Sequence, residues 1–583
     1  MEILDYDVVI LGSGIAGFSA AVHASHASEG KARVAVISKL HAMRSHSVAA
    51  EGGLSGVLHP KKGRDTLDSH AYDTVKGSDF LADQDAVEEL VKHAPEEIKF
   101  FEHLGVPWHR EDNGDVSARA FGGMSTPRTV FAEDKTGFFM MRALYDEITS
   151  LKNVDIFHEH FATKLMLHKN RFLGIYTIDL GDGSARVFSG KSCIIATGGF
   201  SRIFSFTTTS HSCTGDGIAL AYEAGLPLKD MEFTQFHPTA MVPSGILITE
   251  AARGEGGYLK DKRGDRFMSN YAKSVMELAP RDIVSRAIVT EIARGNGILH
   301  KESGLEYVNL DLRHLGEQTL DERLPMIKEI AMKMLNINPS EEQIPVRPAA
   351  HFTMGGIHTD IDGQVQRADG KGGVDGLWAA GEAGCVSVHG ANRLGSNSLS
   401  QCAVWGRKTG YAAAKHARRT KAGKEEYGRM FEKQVERERG RLAALMGRED
   451  GVDPYALRDG MYEVTGRYLY VYRNMRGMRA AKKALSRLKA MLPRMVVRDK
   501  SQIYNTNLRD TLEINNLIRL ADIVAACAMR RKESRGAHAV REHPKRDDAN
   551  WLKHTLIYNS IFGQRVTYSP VKITKWTPVE RHY

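Results

Sequence analysis

Residues 6–20 read YDVVILGSGIAGFSA, and the order of their chemistry decides the fold. Tyr6–Leu11 is a short aliphatic, β-branched run that fits a strand buried on both faces. Gly12-Ser13-Gly14-Ile15-Ala16-Gly17 follows at once, an alanine-rich helix is expected to about Ser28, and Arg33–Ile37 (RVAVI) supplies a second strand. Within such a βαβ unit, Gly12 permits the tight turn and Gly14 lets backbone approach a pyrophosphate. Gly17 lets helix lie close on strand. The phosphates then sit at the helix N-terminus, where free N–H groups and the dipole favour an anion. The second strand ends in Ser38-Lys39, where such units usually carry an acid for a ribose, so the Ser38 hydroxyl or local backbone replaces that contact. The fingerprint alone does not separate FAD from NAD.

Around this unit lies a chain of 583 residues, long enough for two to four packed units. With 42% hydrophobic and 26% charged residues, it is not expected to be disordered. Many of the 55 glycines fall in short clusters, which suits backbone approaching a phosphate-bearing ligand. The net charge of +9 is spread along the chain, with one denser stretch from Arg467 to Arg498. There Met478, Ala481, Leu485, Leu488 and Leu492 recur at three- and four-residue spacing, which predicts an amphipathic helix. No nucleic-acid-binding module accompanies the basic residues, so that class is set aside. Cys193, Cys213, Cys385, Cys402 and Cys527 are far apart, without any CxxC, so neither an iron–sulfur or zinc motif nor a disulfide framework is expected. No metal ligand set is expected either. The N-terminus lacks a basic signal-peptide start, and no apolar run reaches membrane-spanning length.

Beyond the second strand stands Met43-Arg-Ser45-His46-Ser47-Val-Ala-Ala-Glu-Gly52-Gly53. This segment resembles the one by which succinate dehydrogenase and fumarate reductase flavoproteins bind the isoalloxazine and bond it through histidine. Ser47 stands where relatives commonly have threonine, which keeps the hydroxyl. The resemblance continues in order through His70–Asp79, Arg119-Ala-Phe-Gly-Gly123, Ile194-Ile-Ala196-Thr197-Gly198-Gly199, Thr214-Gly-Asp216-Gly217, Gly376–Glu382 and Arg393-Leu-Gly-Ser-Asn-Ser398-Leu399. It implies FAD bonded covalently to His46 as an 8α-histidyl adduct. The implied cofactor contacts are Gly12, Ser13, Gly14, Ile15, Ala16, Gly17, Ser38, Lys39, Ser45, His46, Ser47, Gly52, Gly53, Ala162, Ala196, Thr197, Gly198, Asp216, Glu382, Arg393, Ser398 and Leu399.

Between the cofactor segments, Phe236-His237-Pro-Thr, Leu247-Ile-Thr249-Glu250-Ala-Ala-Arg253, Pro280-Arg281-Asp282 and His351-Phe-Thr-Met-Gly-Gly356 supply cations and donors suited to a dicarboxylate. On the resemblance, His237, Thr249, His351 and Arg393 hold the substrate carboxylates, and Phe121 stacks over them. Arg281 transfers the proton, with Glu250 and Arg253 as its relay. Ala240 replaces a usual glycine, and Gln401-Cys-Ala-Val-Trp405 departs from the usual aliphatic run.

The fold expected is α/β, with a discontinuous Rossmann-like FAD domain at 1–236 and 351–415. A mobile α+β cap is expected at 237–350, a helical domain at 416–500 and a small C-terminal domain at 501–583. The implied activity is interconversion of succinate and fumarate. Since these cysteines build no second redox centre, an iron–sulfur subunit, a membrane anchor and a quinone are expected as partners, with this chain peripheral on the cytoplasmic face of the cell membrane. L-aspartate oxidase is the nearest alternative, but its counterpart of the His46 segment lacks the histidine. A non-catalytic flavin electron-transfer subunit is another, yet it would not need Arg281, Arg393 and the histidines.

Overall fold

β1 (Glu2–Leu11) and β2 (Val34–Ile37) run parallel, with Val8 beside Val34 and Leu11 beside Ile37, and α1 (Ile15–Ala27) joins them. This computed structural model describes residues 2–58, 65–560 and 563–582. On its other side β1 pairs in parallel with Ala185–Ile195, bringing Leu11 level with Ile195. The eight-stranded sheet continues past β2 to Val154–Phe157 and past Ala185–Ile195 to strands Arg171–Asp179, Gly373–Ala379, Gln364–Gln366 and His160–His168. Val8, Val9, Ile10 and all of β2 are fully buried, because one face packs on α1 and other helices and the other on a cluster that includes Ala162, Leu165, Phe172 and Ile175 of the antiparallel strands.

Two glycines bring the turn and the sheet together. Gly12 has φ +113°, and a Cβ there would stand 2.2 Å from the Ala196 carbonyl oxygen. A Cβ on Gly17 would meet the Gly12 carbonyl oxygen at 2.0 Å. Any side chain at either position forces the turn open.

The chain leaves this sheet through Thr234–Met241 and returns through Ile344–Thr353, which pair antiparallel with His237 opposite Ala349. The inserted part has its own sheet, continued by Glu306–Asp311 and Tyr258–Lys260, and its own hydrophobic cluster drawn from residues 241–346. The insert thus has a hydrophobic core of its own.

The basic stretch forms helix Met475–Met491, burying Met478, Ala481 and Leu485. Asn474 caps it by accepting from the Gly477 amide, and Pro493 follows its end. Helices Pro454–Tyr468 and Thr506–Arg530 share its core, so the bundle continues past residue 500, where the sequence reading placed a boundary. Nor is the last part separate. Strand Lys553–Ser560 pairs with Leu228–Lys229, building a five-stranded sheet that also holds Gly356–His358 and Gly384–Cys385. Among the described residues no helix is long and apolar enough to cross a membrane.

Candidate active site

The turn after β1 opens into a cavity of about 790 Å³, within the usual range of roughly 300–1,000 Å³ for ligand sites. Gly14, in extended conformation, precedes α1, whose first turn has neither a side-chain cap nor an acid. The Ile15 amide donates to Ser47 Oγ at 3.2 Å, and the remaining amides of this turn, which lines the cavity, offer an anion site. Ser38 lies 2.9 Å from Ser13, whose hydroxyl donates to the Ala42 carbonyl, so the residue in place of the usual acid braces the turn.

Lys39 reaches across the cavity wall, donating to Thr214 Oγ1 (2.6 Å), Asp216 Oδ2 (2.7 Å) and Glu513 Oε1 (2.7 Å). Burial would lower the Lys39 pKa, but Asp216 and Glu513 outweigh it and hold the ammonium charged. Segment 207–216 then follows the cavity. The Thr208 hydroxyl meets His351 Nδ1 at 2.7 Å, the Ser210 amide donates to His46 Nδ1 at 3.3 Å, and Thr214 and Asp216 meet Lys39. One strip of chain thus connects three functional regions of a single cavity.

At the His351 end the side chains form a cationic, donor-rich pocket. Arg281 donates from Nε to Glu250 Oε2 (2.7 Å) and from Nη1 to Gln235 Oε1 (3.1 Å), which leaves Nη2 for a ligand. Glu250 also accepts from the Gly122 amide (2.9 Å) and lies 3.4 Å from Arg253 Nη2. Burial raises the Glu250 pKa, while Arg281 and Arg253 lower it further, so its carboxylate stays ionised. Behind it, Arg253 bonds the Glu277 carbonyl, and the Glu277 carboxylate pairs with the partly exposed Arg266. Polar groups therefore extend from Arg281 outward through Glu250, Arg253 and Glu277.

His237 and His351 stand with ring centroids 5.0 Å apart. The Thr239 amide donates to His237 Nδ1, so the neutral ring carries its hydrogen on Nε2, and that buried nitrogen has no protein partner among the described residues. Burial and the nearby Arg281 keep both imidazoles well below their usual pKa, hence neutral. Arg393 donates to Ser398 Oγ (2.9 Å) and lies over the Phe352 ring at 4.6 Å, with its buried Nε unpartnered. Thr249 caps the short helix that begins at Glu250. Phe121 is confined by the close approach of Gly52 and Gly395. Two guanidinium groups and orphaned donors in a buried pocket call for an anionic ligand rich in acceptors.

The cavity wall also includes Ile15, Ala16, Ser45, Ser47, Gly53, Ala162, Ala196, Thr197, Gly198, Glu382 and Leu399. Gly17 lies off the wall, against Gly12, and Arg253 lies behind Glu250. Sequence reasoning missed Glu51, Thr208, Ser210, Gln235, Cys402 and Glu513. Glu51 lines the cavity with Oε2 unpartnered, and burial with nearby Asp134 pushes its carboxyl well above the usual range. Its place beside Gly52 was the only signal. The cysteines are all unpaired, and among the described residues no three histidine, cysteine or acidic groups gather as a metal site.

These residues fit FAD: an uncapped helix N-terminus for the pyrophosphate, Lys39 with Asp216 for the nucleotide end, and the glycine-lined His46 segment for the flavin. A FAD binding domain family matches residues 7–399, and a fumarate reductase flavoprotein C-terminal family matches 458–583. The fumarate reductase flavoprotein subunit of Haemophilus influenzae is 40% identical over 100% of this chain and 97% of its own. The succinate dehydrogenase flavoprotein subunit of Rickettsia bellii is 42% identical over 98% and 96%. The FrdA chain of Escherichia coli quinol fumarate reductase superposes with a TM-score of 0.94 at 39% identity, covering 100% of this chain and 99% of that one. The chain belongs, by sequence and by fold, to the FAD-binding flavoprotein subunits of succinate dehydrogenases and fumarate reductases.

Proposed function

We propose that this chain interconverts succinate and fumarate, with FAD bonded covalently to His46. The observation that carries the reading is the pocket itself, where Arg281 Nη2, His237 Nε2 and Arg393 Nε converge with their hydrogens unclaimed. A dicarboxylate answers each of those donors with oxygen. Bound FAD would supply two-electron chemistry beside it.

His237, His351, Thr249 and Arg393 bind and orient the two carboxylates, and Phe121 helps exclude water. Arg281 hands a proton from Nη2 to one alkene carbon of fumarate, or receives it when succinate is oxidised. Glu250 and Arg253 relay the replacement proton to Arg281 from the solvent side. At His46 the Ser210 amide donates to Nδ1, so the neutral ring carries its hydrogen on Nε2, and bonding the flavin at that nitrogen releases this proton. Burial keeps this ring neutral, with its pKa down at about 4, so only that one proton has to leave.

The five scattered cysteines support an electron path that passes outside this chain, through an iron–sulfur subunit to a membrane anchor and a quinone. We place the chain at the cytoplasmic face of that membrane and take 237–350 as its cap. The test is to assay purified protein for fumarate reduction with a reduced viologen and for succinate oxidation with a soluble dye. Absence of both activities from fully flavinylated protein would overturn the reading.

A further inference from the structure

Segment 571–582 has no helix or strand, yet it is fastened along its length to the nucleotide-binding part. Asp83 Oδ1 accepts from the Lys572 amide, Gln84 Oε1 accepts from the amides of Thr574, Lys575 and Trp576, and Gln84 Nε2 donates to the Trp576 carbonyl. Most of the segment is exposed, but the Arg581 side chain turns inward and is only 8% exposed. Its Nη2 lies 2.9 Å from Asp79 Oδ2 and 2.7 Å from Asp282 Oδ2. Nη1 adds a longer bond to Asp282 Oδ1 at 3.4 Å.

Those two carboxylates belong to different bodies. Asp79 follows helix Leu67–Gly77 of the nucleotide-binding part, whereas Asp282 lies in the inserted part, one residue beyond Arg281 in the first turn of helix Arg281–Glu291. A ring of bonds closes around them. Arg286 donates to Asp282 (2.8 Å) and to the Gly536 carbonyl (2.7 Å), and the Gly536 amide donates to Asp79 (2.8 Å). Arg546 joins Asp79 Oδ1 (2.9 Å) to the Val579 carbonyl (2.8 Å), anchoring the segment two residues before Arg581.

We propose that segment 571–582 is a strap and that Arg581 is a positioning residue for Arg281, an inference that rests on the function proposed above. One planar guanidinium grips a carboxylate on each side of the junction, which a single ammonium does less well. Arg281 opens its helix, so the place of that helix's first turn sets where Nη2 meets substrate. Removing Arg581 leaves Asp79 with Arg546 and Asp282 with Arg286, so neither buried carboxylate is stranded. The fold is therefore kept while the direct guanidinium tie is lost, and only the route through Arg286 and Gly536 still crosses the junction. A shift of about 1 Å at a reacting group is worth on the order of 10²-fold in rate.

The test uses the flavin-loaded enzyme and Arg581→Ala, with kcat, KM, FAD content and melting temperature measured together. The inference expects kcat for fumarate reduction to fall about tenfold or more while KM and FAD content stay within about threefold and the melting temperature holds. Arg581→Lys should recover part of kcat. In an Asp282→Asn background the Arg581→Ala change should add little. Hydrogen exchange supplies a readout independent of turnover: the amides of residues 284–288 should lose protection in Arg581→Ala. Unchanged kcat and unchanged exchange would overturn the strap. So would a kcat loss matched by lost FAD and a lower melting temperature, with Arg581→Lys no better than alanine. If the alanine variant fails to fold, Arg581→Lys decides, since wild-type kcat and exchange in it also overturn the inference. A wild-type enzyme inactive on both dicarboxylates would refute the proposed function, and the exchange measurement would still judge the strap.

Discussion

Glu250 holds Arg281 by its flank, meeting Nε at 2.7 Å and leaving the Nη2 tip toward the pocket. The carboxylate thereby fixes the plane of the guanidinium without occupying the end that meets substrate. Glu250 is itself buried and also faces Arg253, the arrangement that the proposed proton relay needs.

Arg281→Gln should therefore nearly abolish turnover while FAD stays bound, with a kcat loss on the order of 10²–10⁴-fold. Glu250→Gln keeps the shape and one hydrogen bond but removes the charge, so its kcat should fall less, with KM little changed. Steady-state kinetics with a flavin absorbance check separates these outcomes. Retention of a tenth or more of wild-type turnover in Arg281→Gln would assign the proton to another group.

The Arg393 guanidinium touches Ser398 and stacks on Phe352, and only its main-chain carbonyl connects, through Gln235, to Arg281. Arg393→Ala should act mainly through substrate binding, raising KM roughly 10- to 10²-fold, as loss of a charge-assisted bond of about 1.5–3 kcal/mol implies. Titration of fumarate against the flavin spectrum measures it directly. Equal affinity in variant and wild type would contradict the assignment.

His46→Ser should abolish flavin fluorescence on a denaturing gel band while leaving FAD bound in the native protein. Losing the electron-withdrawing imidazole should lower the flavin potential, so succinate oxidation should suffer more than fumarate reduction. A fluorescent band from the serine variant would place the covalent bond elsewhere.

Glu382 lines the cavity and accepts from the Thr353 amide and hydroxyl, yet burial raises its carboxyl to about 7. A folded-state pKa above the unfolded value means that the folded form binds the proton more tightly. Its contribution is thus fully present below about pH 4.5 and is lost as pH rises through 7, a change of about 3 kcal/mol. Glu382→Gln should flatten that part of the stability profile, read as chemical-denaturation midpoints between pH 4.5 and 8. A variant with the same slope as wild type would remove Glu382 as the cause.

What could be read before any coordinates depended on how local each feature is. The glycines from Gly12 to Gly17 announce themselves because turn, approach and packing fall within six residues, between two aliphatic strands. His237, His351, Arg281 and Arg393 carry no such local sign. They came from resemblance to a family, and only the fold brings their segments to one pocket. Thr208, Ser210, Gln235 and Glu513 look like ordinary polar residues until tertiary packing sets them beside His351, His46, Arg281 and Lys39. Helix Thr506–Arg530 escaped the domain reading for another reason. It is buried nearly all round between Asn516 and Ala528, so no polar face marks it as a member of the preceding bundle.

Gly198 and Cys402 line the same cavity, although about two hundred residues separate them, because the insert departs and returns between them. On a ribosome the early strands emerge long before the helix Asn397–Ala417 that completes their wall. At roughly 5–20 residues per second, that wait lasts roughly 20–80 s, during which the nascent first half exposes an unfinished flavin site. Cofactor capture must therefore come late in synthesis or after release, and aggregation of the waiting half is the hazard that the cell has to manage.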